Sequence, residues 1–332
     1  MSSIVRDPLS SFLNQHVPDY HGVEQIAGDA SFRQYYRVST PRCSYVLMDA
    51  PPALENTALF HQIAMAFAQA GIQVPEIIEA DFEQGYLLLS DFGDQTLYGL
   101  LCEDADTWLT QALAVLFMIQ KQGGQQILAL PDYSDDLLWQ ELNLFPTWFV
   151  RELLGMRLSS LQESTLKQLN SMLVEQALKQ PKTWVHRDFH SRNLMQTPTD
   201  SIGVIDFQDA VYGPITYDLV SILKDCYIRY PDALLEKQLM RYYIQLISDE
   251  LYYGDYETFV RAFDWMGLQR HVKVLGIFSR LSIRDGKHQY LSDLPRVFDY
   301  VNDVIQRYPN FQFAQPLFET LYLRMHAVLK QR

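Results

Sequence analysis

Lysine is missing from the first third of this 332-residue chain; the first one is Lys121. Any chemistry assigned to that stretch must draw its positive charge from arginine, a metal ion or backbone N–H groups. Cysteine is nearly as scarce. Cys43, Cys102 and Cys226 are scattered without paired spacing, which gives no disulfide framework or zinc motif and suits a reducing cytoplasm. No apolar run approaches the roughly 18 residues that a membrane span needs, and Met1–Pro8 has no basic head followed by an apolar core. No repeat of about 20 to 50 residues recurs. The net charge of −13 excludes a broad basic surface for nucleic acid or anionic membrane, so neither is expected as a partner. Apolar residues are plentiful at 48%, enough for a sizeable core, and the length suits two lobes around one cleft.

Two short runs carry chemistry. His186-Arg187-Asp188-Phe189-His190-Ser191-Arg192-Asn193 has the H-R-D-x-x-x-x-N spacing. In that pattern the Asp accepts the attacking hydroxyl's proton and the Asn holds magnesium, roles that fall to Asp188 and Asn193. The apolar strand Ile202–Ile205 then ends in Asp206-Phe207, where phosphoryl transfer keeps a second metal-binding carboxylate. Hard oxygen donors of this kind are what magnesium takes. An isolated His-Arg-Asp would be read as a solvated loop; the spacing to Asn193 and Asp206 is what makes it a phosphotransfer site for ATP and Mg2+.

At these residues the chain resembles the aminoglycoside phosphotransferase and choline-kinase-like superfamily, relatives of the protein kinases. The runs Gly28–Val38, Met48–Pro52, His186–Asn193, Val204–Asp218 and Leu268–Gly276 narrow the resemblance to the bacterial anomeric sugar kinases, which phosphorylate N-acetylmuramate and N-acetylglucosamine in cell-wall recycling. It spans roughly residues 8 to 330. It implies an α+β, protein-kinase-like bilobal fold: a small α/β N-lobe over residues 1–92 that binds nucleotide, and a large, mainly helical C-lobe over 93–332 with the catalytic loop, metal site and acceptor-sugar site. A cytoplasmic monomer acting on a small-molecule sugar is expected. Another hydroxyl acceptor of aminoglycoside, choline or homoserine type, or a nucleotide-binding pseudokinase, are the alternatives.

The periodicity agrees. Phe32–Val38, Ser44–Met48, Glu76–Ala80 and Tyr86–Leu89 read as strands, and Thr57–Ala70 as an amphipathic helix closed by Gly71. Ser90–Asp94 is a turn-forming cluster suited to a hinge, and Asp91 within it is placed among the nucleotide-binding residues. Helices are expected over Thr107–Gln122, Asp135–Leu154, Ser164–Lys179, Ile215–Ile228, Leu234–Ser248 and Tyr256–Ile283, then around Phe298 and Leu321.

The loop Gly28-Asp29-Ala30-Ser31-Phe32 could cover phosphates with backbone N–H groups. It is not G-x-G-x-x-G, and a hairpin turn is the plainer reading. Gly28, Ala30, Ser31, Phe32 and Arg33 are the cofactor-binding candidates here. Met48 stands where protein kinases keep a phosphate-binding lysine, so Arg33 or Arg37 supplies that charge, or magnesium and backbone N–H groups act alone. Asp218 resembles a residue that braces the catalytic loop, and His190 a loop-bracing histidine. Gln208 and Asp209 follow the metal-binding Asp206 and are assigned to the acceptor sugar, as is Glu141. Arg270 and Lys273 can share a helix face; the bland reading is a solvated face, the sharper one recognition of the lactyl carboxylate of N-acetylmuramate.

Overall fold

Residues 7–26, 32–124 and 128–331 are described by the computed structural model, the side chain of Asp7 excepted. They fall into two units, 1–96 with 193–208, and 97–192 with 209–332. In the first, five antiparallel strands, β1 (Gly22–Ile26), β2 (Gln34–Ser39), β3 (Ser44–Asp49), β4 (Ile77–Asp81) and β5 (Tyr86–Ser90), pair in the order β1-β2-β3-β5-β4. Alternation along β3 decides which side chain faces what. Leu47 joins a core with Val38 and Leu88 and with Leu9, Phe12 and Leu13 of helix α1 (Asp7–His16). Met48, its neighbour, points to the other face and pairs across to Tyr35 and Leu87. Neither α1 nor β1 is among the elements expected from the sequence. The strand set and the helix α2 (Thr57–Gln69) agree with expectation to within two residues. Asn56 caps α2 by accepting from the Leu59 N–H at 2.9 Å. Residues 193–208 add a hairpin in which Leu194–Gln196 pairs with Ile202–Val204, and Phe207 behind it packs on Phe60 and Phe67 of α2 at 4.8 and 5.7 Å.

Among its described residues the second unit is mainly helical, with one strand pair, Lys182–Val185 against Val211–Pro214. Its helices are α3 (Leu97–Glu103), α4 (Ala105–Gly123), α5 (Asp135–Leu142), α6 (Ser160–Lys179), α7 (Tyr217–Leu223), α8 (Asp232–Ser248), α9 (Tyr256–Arg284), α10 (Leu294–Arg307) and α11 (Gln315–Leu329). The 29-residue α9 is the spine, buried almost continuously from Phe263 to Gly276. It packs against α6, α7, α10 and the π-helix described next.

Three expectations need correction. The single helix expected over Asp135–Leu154 is two: α5, then a π-helix over Phe145–Leu153. Pro146 has no N–H to give the Leu142 carbonyl, so the α-ladder stops there. The wider turn resumes after it, with the Leu154 N–H reaching the Phe149 carbonyl at 3.0 Å. α6 begins four residues before the expected Ser164, because Ser159 and Gln162 form a capping box. α7 ends at Leu223, short of Ile228, since Asp225 turns its carboxylate back onto the N–H groups of Ser191 and Tyr227. Gly276 and Gly123, like Gly85 beside Ala50, allow close main-chain approaches. A Cβ at Gly276 would lie 2.5 Å from the Leu144 carbonyl carbon, and one at Gly123 would lie 2.2 Å from the Trp184 nitrogen.

Candidate active site

In the second unit the strand Lys182–Val185 runs directly into Asp188. Asp218, at the start of α7, braces that loop: it accepts the N–H groups of His186 and Arg187 at 2.6 and 3.0 Å. Burial pushes the Asp218 carboxyl up to about 7, against the pull of those two N–H bonds and of Arg270. The bracing fixes a strained backbone, since Arg187 holds a φ of 75°, a region costly for a non-glycine residue. Strain of this kind is retained where the surroundings over-determine it.

Asp188 itself is half-buried, and its partial loss of solvent would by itself favour the neutral form. Lys273, His190, Arg270 and Arg187 outweigh that and hold its carboxyl at about 2. It is therefore a carboxylate throughout the neutral range. His190 is lowered by burial, its ring lies edge-on to Tyr227 at 5.3 Å, and its backbone N–H closes a turn onto the Asp188 carbonyl at 3.0 Å.

The cations around Asp188 are anchored from behind. Glu141, 5% exposed, accepts Arg187 Nη2 at 2.5 Å and Lys273 Nζ at 2.9 Å, and the Tyr133 hydroxyl donates to it as well. Lys273 Nζ also donates to the Tyr217 hydroxyl at 2.9 Å. Burial disfavours the Glu141 carboxylate, but Lys273 and Arg187 pull its pKa below the usual range. Arg270 and Lys273 are 2% and 5% exposed, so the solvated-face reading of α9 is wrong. They differ, however. Lys273 is fully paired, whereas Arg270 lies 5.5 Å over the Tyr217 ring and its buried Nε has no hydrogen-bond partner. A buried N–H donor left without an acceptor is costly.

The metal candidates belong to the first unit. Asp206 has a φ of 63°; its carboxylate accepts Gln208 Nε2 at 2.7 Å and Asn193 Nδ2 at 3.4 Å. The Ile205 N–H donates to the Asn193 carbonyl at 3.1 Å, tying the two ends of the hairpin together. Donor chemistry suits a hard cation. It comprises one carboxylate, one carboxamide that presents Oδ1 by a flip of its amide, and the buried Gln208 Oε1, which has no partner. Among the described residues no group of three or more His, Cys, Asp or Glu could hold a metal; one carboxylate with amide, water and phosphate oxygens is the kind of shell that magnesium takes.

The remaining candidates are dispersed. Gly28, Ala30 and Ser31 lie outside the described residues. Phe32 is 63% exposed. Arg33 Nη1 sits 3.6 Å from Glu55. Arg37 is committed to Asp91 and Asp94 at 2.6 and 2.8 Å, and the Asp91 carboxylate also takes the Ser44 hydroxyl and the Gly93 N–H. Met48 is buried in the sheet and brings no charge. Asp209 is exposed, and its carbonyl accepts Arg187 Nη1 at 3.3 Å. Sequence reasoning missed Tyr133, Tyr217 and Asp225. Their only signal was a polar atom at a position that the apolar pattern marks as buried.

The model of the family described as "Phosphotransferase enzyme family" matches residues 22–255. An N-acetylmuramate/N-acetylglucosamine kinase of Pseudomonas putida is 44% identical over 285 residues, covering 85% of this chain and 83% of that one. The Pseudomonas aeruginosa protein of the same name is 41% identical with the same coverage. Among solved structures, choline kinase from Streptococcus pneumoniae superposes with a TM-score of 0.63 at 12% identity, covering 89% of this chain and 98% of that one. That likeness speaks for the fold.

Proposed function

This chain belongs to the phosphotransferase enzyme family, and on that premise we propose that it uses ATP to phosphorylate the anomeric hydroxyl of N-acetylmuramate and N-acetylglucosamine, giving the sugar 1-phosphate for cell-wall recycling. Relatives of that name at 41 to 44% identity support the acceptor class. The single structural observation that carries the mechanism is Asp188: a half-buried carboxylate on a loop braced by Asp218, kept ionised by four surrounding cationic or imidazole side chains. Nucleotide binding is assigned to residues 1–92, with Phe32, Arg33, Met48 and Asp91 among them; catalytic loop, metal and sugar groups are assigned to 93–332. We place the protein in the cytoplasm as a monomer. Among the described residues no helix is long and apolar enough to cross a membrane.

Asp188 orients the acceptor hydroxyl and accepts its proton. With a pKa of about 2 it is a weak base, so the proton moves late, once the oxygen is already bonding to phosphorus. A loose transition state, in which little charge builds on the nucleophile, tolerates this. Asn193 and Asp206, with Gln208 beside them, would hold magnesium, which when bound neutralises phosphate charge. Asp206→Ala should weaken magnesium-dependent ATP binding about tenfold or more, equivalent to about 1.4 kcal/mol. Unchanged affinity by calorimetry would remove Asp206 from the metal.

Glu141, Gln208, Asp209, Arg270 and Lys273 are assigned to the acceptor side. Of these Arg270 has the clearest reason to meet an anion, since its buried Nε has no hydrogen-bond partner and a guanidinium donor gains most from a carboxylate. Arg270→Ala also relieves Asp188 of a neighbouring charge, so both sugars should suffer in kcat. The diagnostic quantity is the ratio of the two kcat/KM values. It should shift by about tenfold against N-acetylmuramate, because only that sugar loses a charge-assisted bond of about 1.5 to 3 kcal/mol. Equal losses on both sugars would make Arg270 a partner of Asp188 alone. The function as a whole is tested by incubating protein, ATP and magnesium with a panel of free sugars and locating the phosphate by phosphorus NMR. Label on a non-anomeric hydroxyl, or on no sugar, refutes it.

A further inference from the structure

Arg192 carries a guanidinium that no acidic side chain claims among the described residues, in a chain with 40 Asp and Glu residues. Among the described residues its contacts are aromatic. The guanidinium carbon lies 3.7 Å from the Tyr227 ring centre and 5.5 Å from that of Tyr98. These two rings are tied to the loop that carries Arg192. Ser191 accepts the Tyr98 N–H at 3.1 Å, while the fully buried Asp225 accepts the Ser191 N–H at 2.9 Å and the Tyr227 N–H at 2.7 Å. One carboxylate thus staples the residue before Arg192 to the residue whose ring holds it.

A cation–π contact fixes a guanidinium in place but neutralises no charge and uses up no N–H group. The side chain is exposed, so those donors stay available. A held cation with open donors, four residues beyond Asp188, fits an anion that exists only briefly.

We propose that Arg192 clamps the phosphoryl group during transfer, a role that rests on the kinase reading above. In the step, the acceptor oxygen forms its bond to the γ-phosphorus as the bond to the bridging oxygen breaks. The electron pair leaves with ADP, and the hydroxyl proton passes to Asp188. Charge is then spread over three equatorial oxygens, and the planar fork of an arginine matches two of them. The lysine-free N-terminal stretch gives this charge no lysine, and Arg37 there is spent on Asp91 and Asp94. Arg192 makes good that lack from the catalytic loop itself.

Arg192→Ala should lower kcat by about 100-fold or more on both sugars, the scale of losing a donor aimed at transition-state charge, with KM values changed by no more than a few-fold. Free guanidinium ion should restore part of the rate, and Arg192→Lys should keep only part of it, lacking the fork. A second readout needs no acceptor: ADP with magnesium and aluminium fluoride, a planar mimic of the phosphoryl group, should bind the Ala variant at least about tenfold more weakly, while ADP alone binds unchanged. A kcat within threefold of wild type, or unaltered aluminium fluoride binding, overturns the proposal. So does a loss confined to N-acetylmuramate, which would make Arg192 a carboxylate contact. Wild-type protein that phosphorylates neither sugar refutes the kinase reading instead, and the aluminium fluoride measurement still decides on Arg192.

Discussion

Asp188→Asn should lower kcat by about 100- to 10,000-fold, the range for removing a positioned proton acceptor, and leave the Kd for ATP within about twofold. The carboxamide keeps the shape and one oxygen, so the hydroxyl can still be held. What is lost is the site to which its proton goes, together with one negative charge among Lys273, Arg270 and Arg187. Because Asp188 titrates at about 2, the wild-type rate should show no acid limb from this group above about pH 3. A variant with near-normal turnover, or a rate that falls with a single pKa between 4 and 6 and loses that limb in the variant, would each contradict the assignment.

Glu141→Ala should cost about 3 to 5 kcal/mol of stability, the usual consequence of leaving buried charges without their partner. Here both Arg187 and Lys273 are stranded, and the Tyr133 hydroxyl loses its acceptor. The pH dependence has a definite sign. Glu141 has its pKa lowered in the fold, so it contributes stability that is fully present above the unfolded value near 4.3 and is lost as pH falls through the lower folded value. Urea unfolding of wild type and variant at neutral pH measures the first effect, and their convergence on acidification the second. A difference below about 1 kcal/mol at pH 7 would show that Lys273 and Arg187 find other partners.

How much of this was legible follows from range. Asp188, Asn193 and Asp206 lie within nineteen positions of one another in the sequence, and their roles are set by a local loop and hairpin, so spacing alone reveals them. Strands β2 to β5 and most of the amphipathic helices were visible for the same reason, whereas α1, β1, α3 and the pair Lys182–Val185 with Val211–Pro214 were not. Arg270 and Lys273 were not, because the face of α9 that is covered depends on partners such as Glu141, 132 residues away. Composition misled as well: two cations three apart resemble a wet surface until a buried carboxylate and two tyrosines are placed opposite. The break in the helix expected over Asp135–Leu154 was available in Pro146, whose missing N–H is a local fact outweighed by a strong apolar period on either side.

The glycines at 276 and 123 bear on how such a chain can drift. At most core positions a larger side chain is accommodated by neighbours that repack, so damage grows with volume and intermediates survive. At these two the obstacle is main chain, the Leu144 carbonyl carbon and the Trp184 nitrogen, which no rotamer change can remove. Alanine is therefore excluded on the same ground as tryptophan. A lineage cannot leave either position by small steps: it must shift a whole element in one event or revert, which makes both sites cliffs rather than slopes.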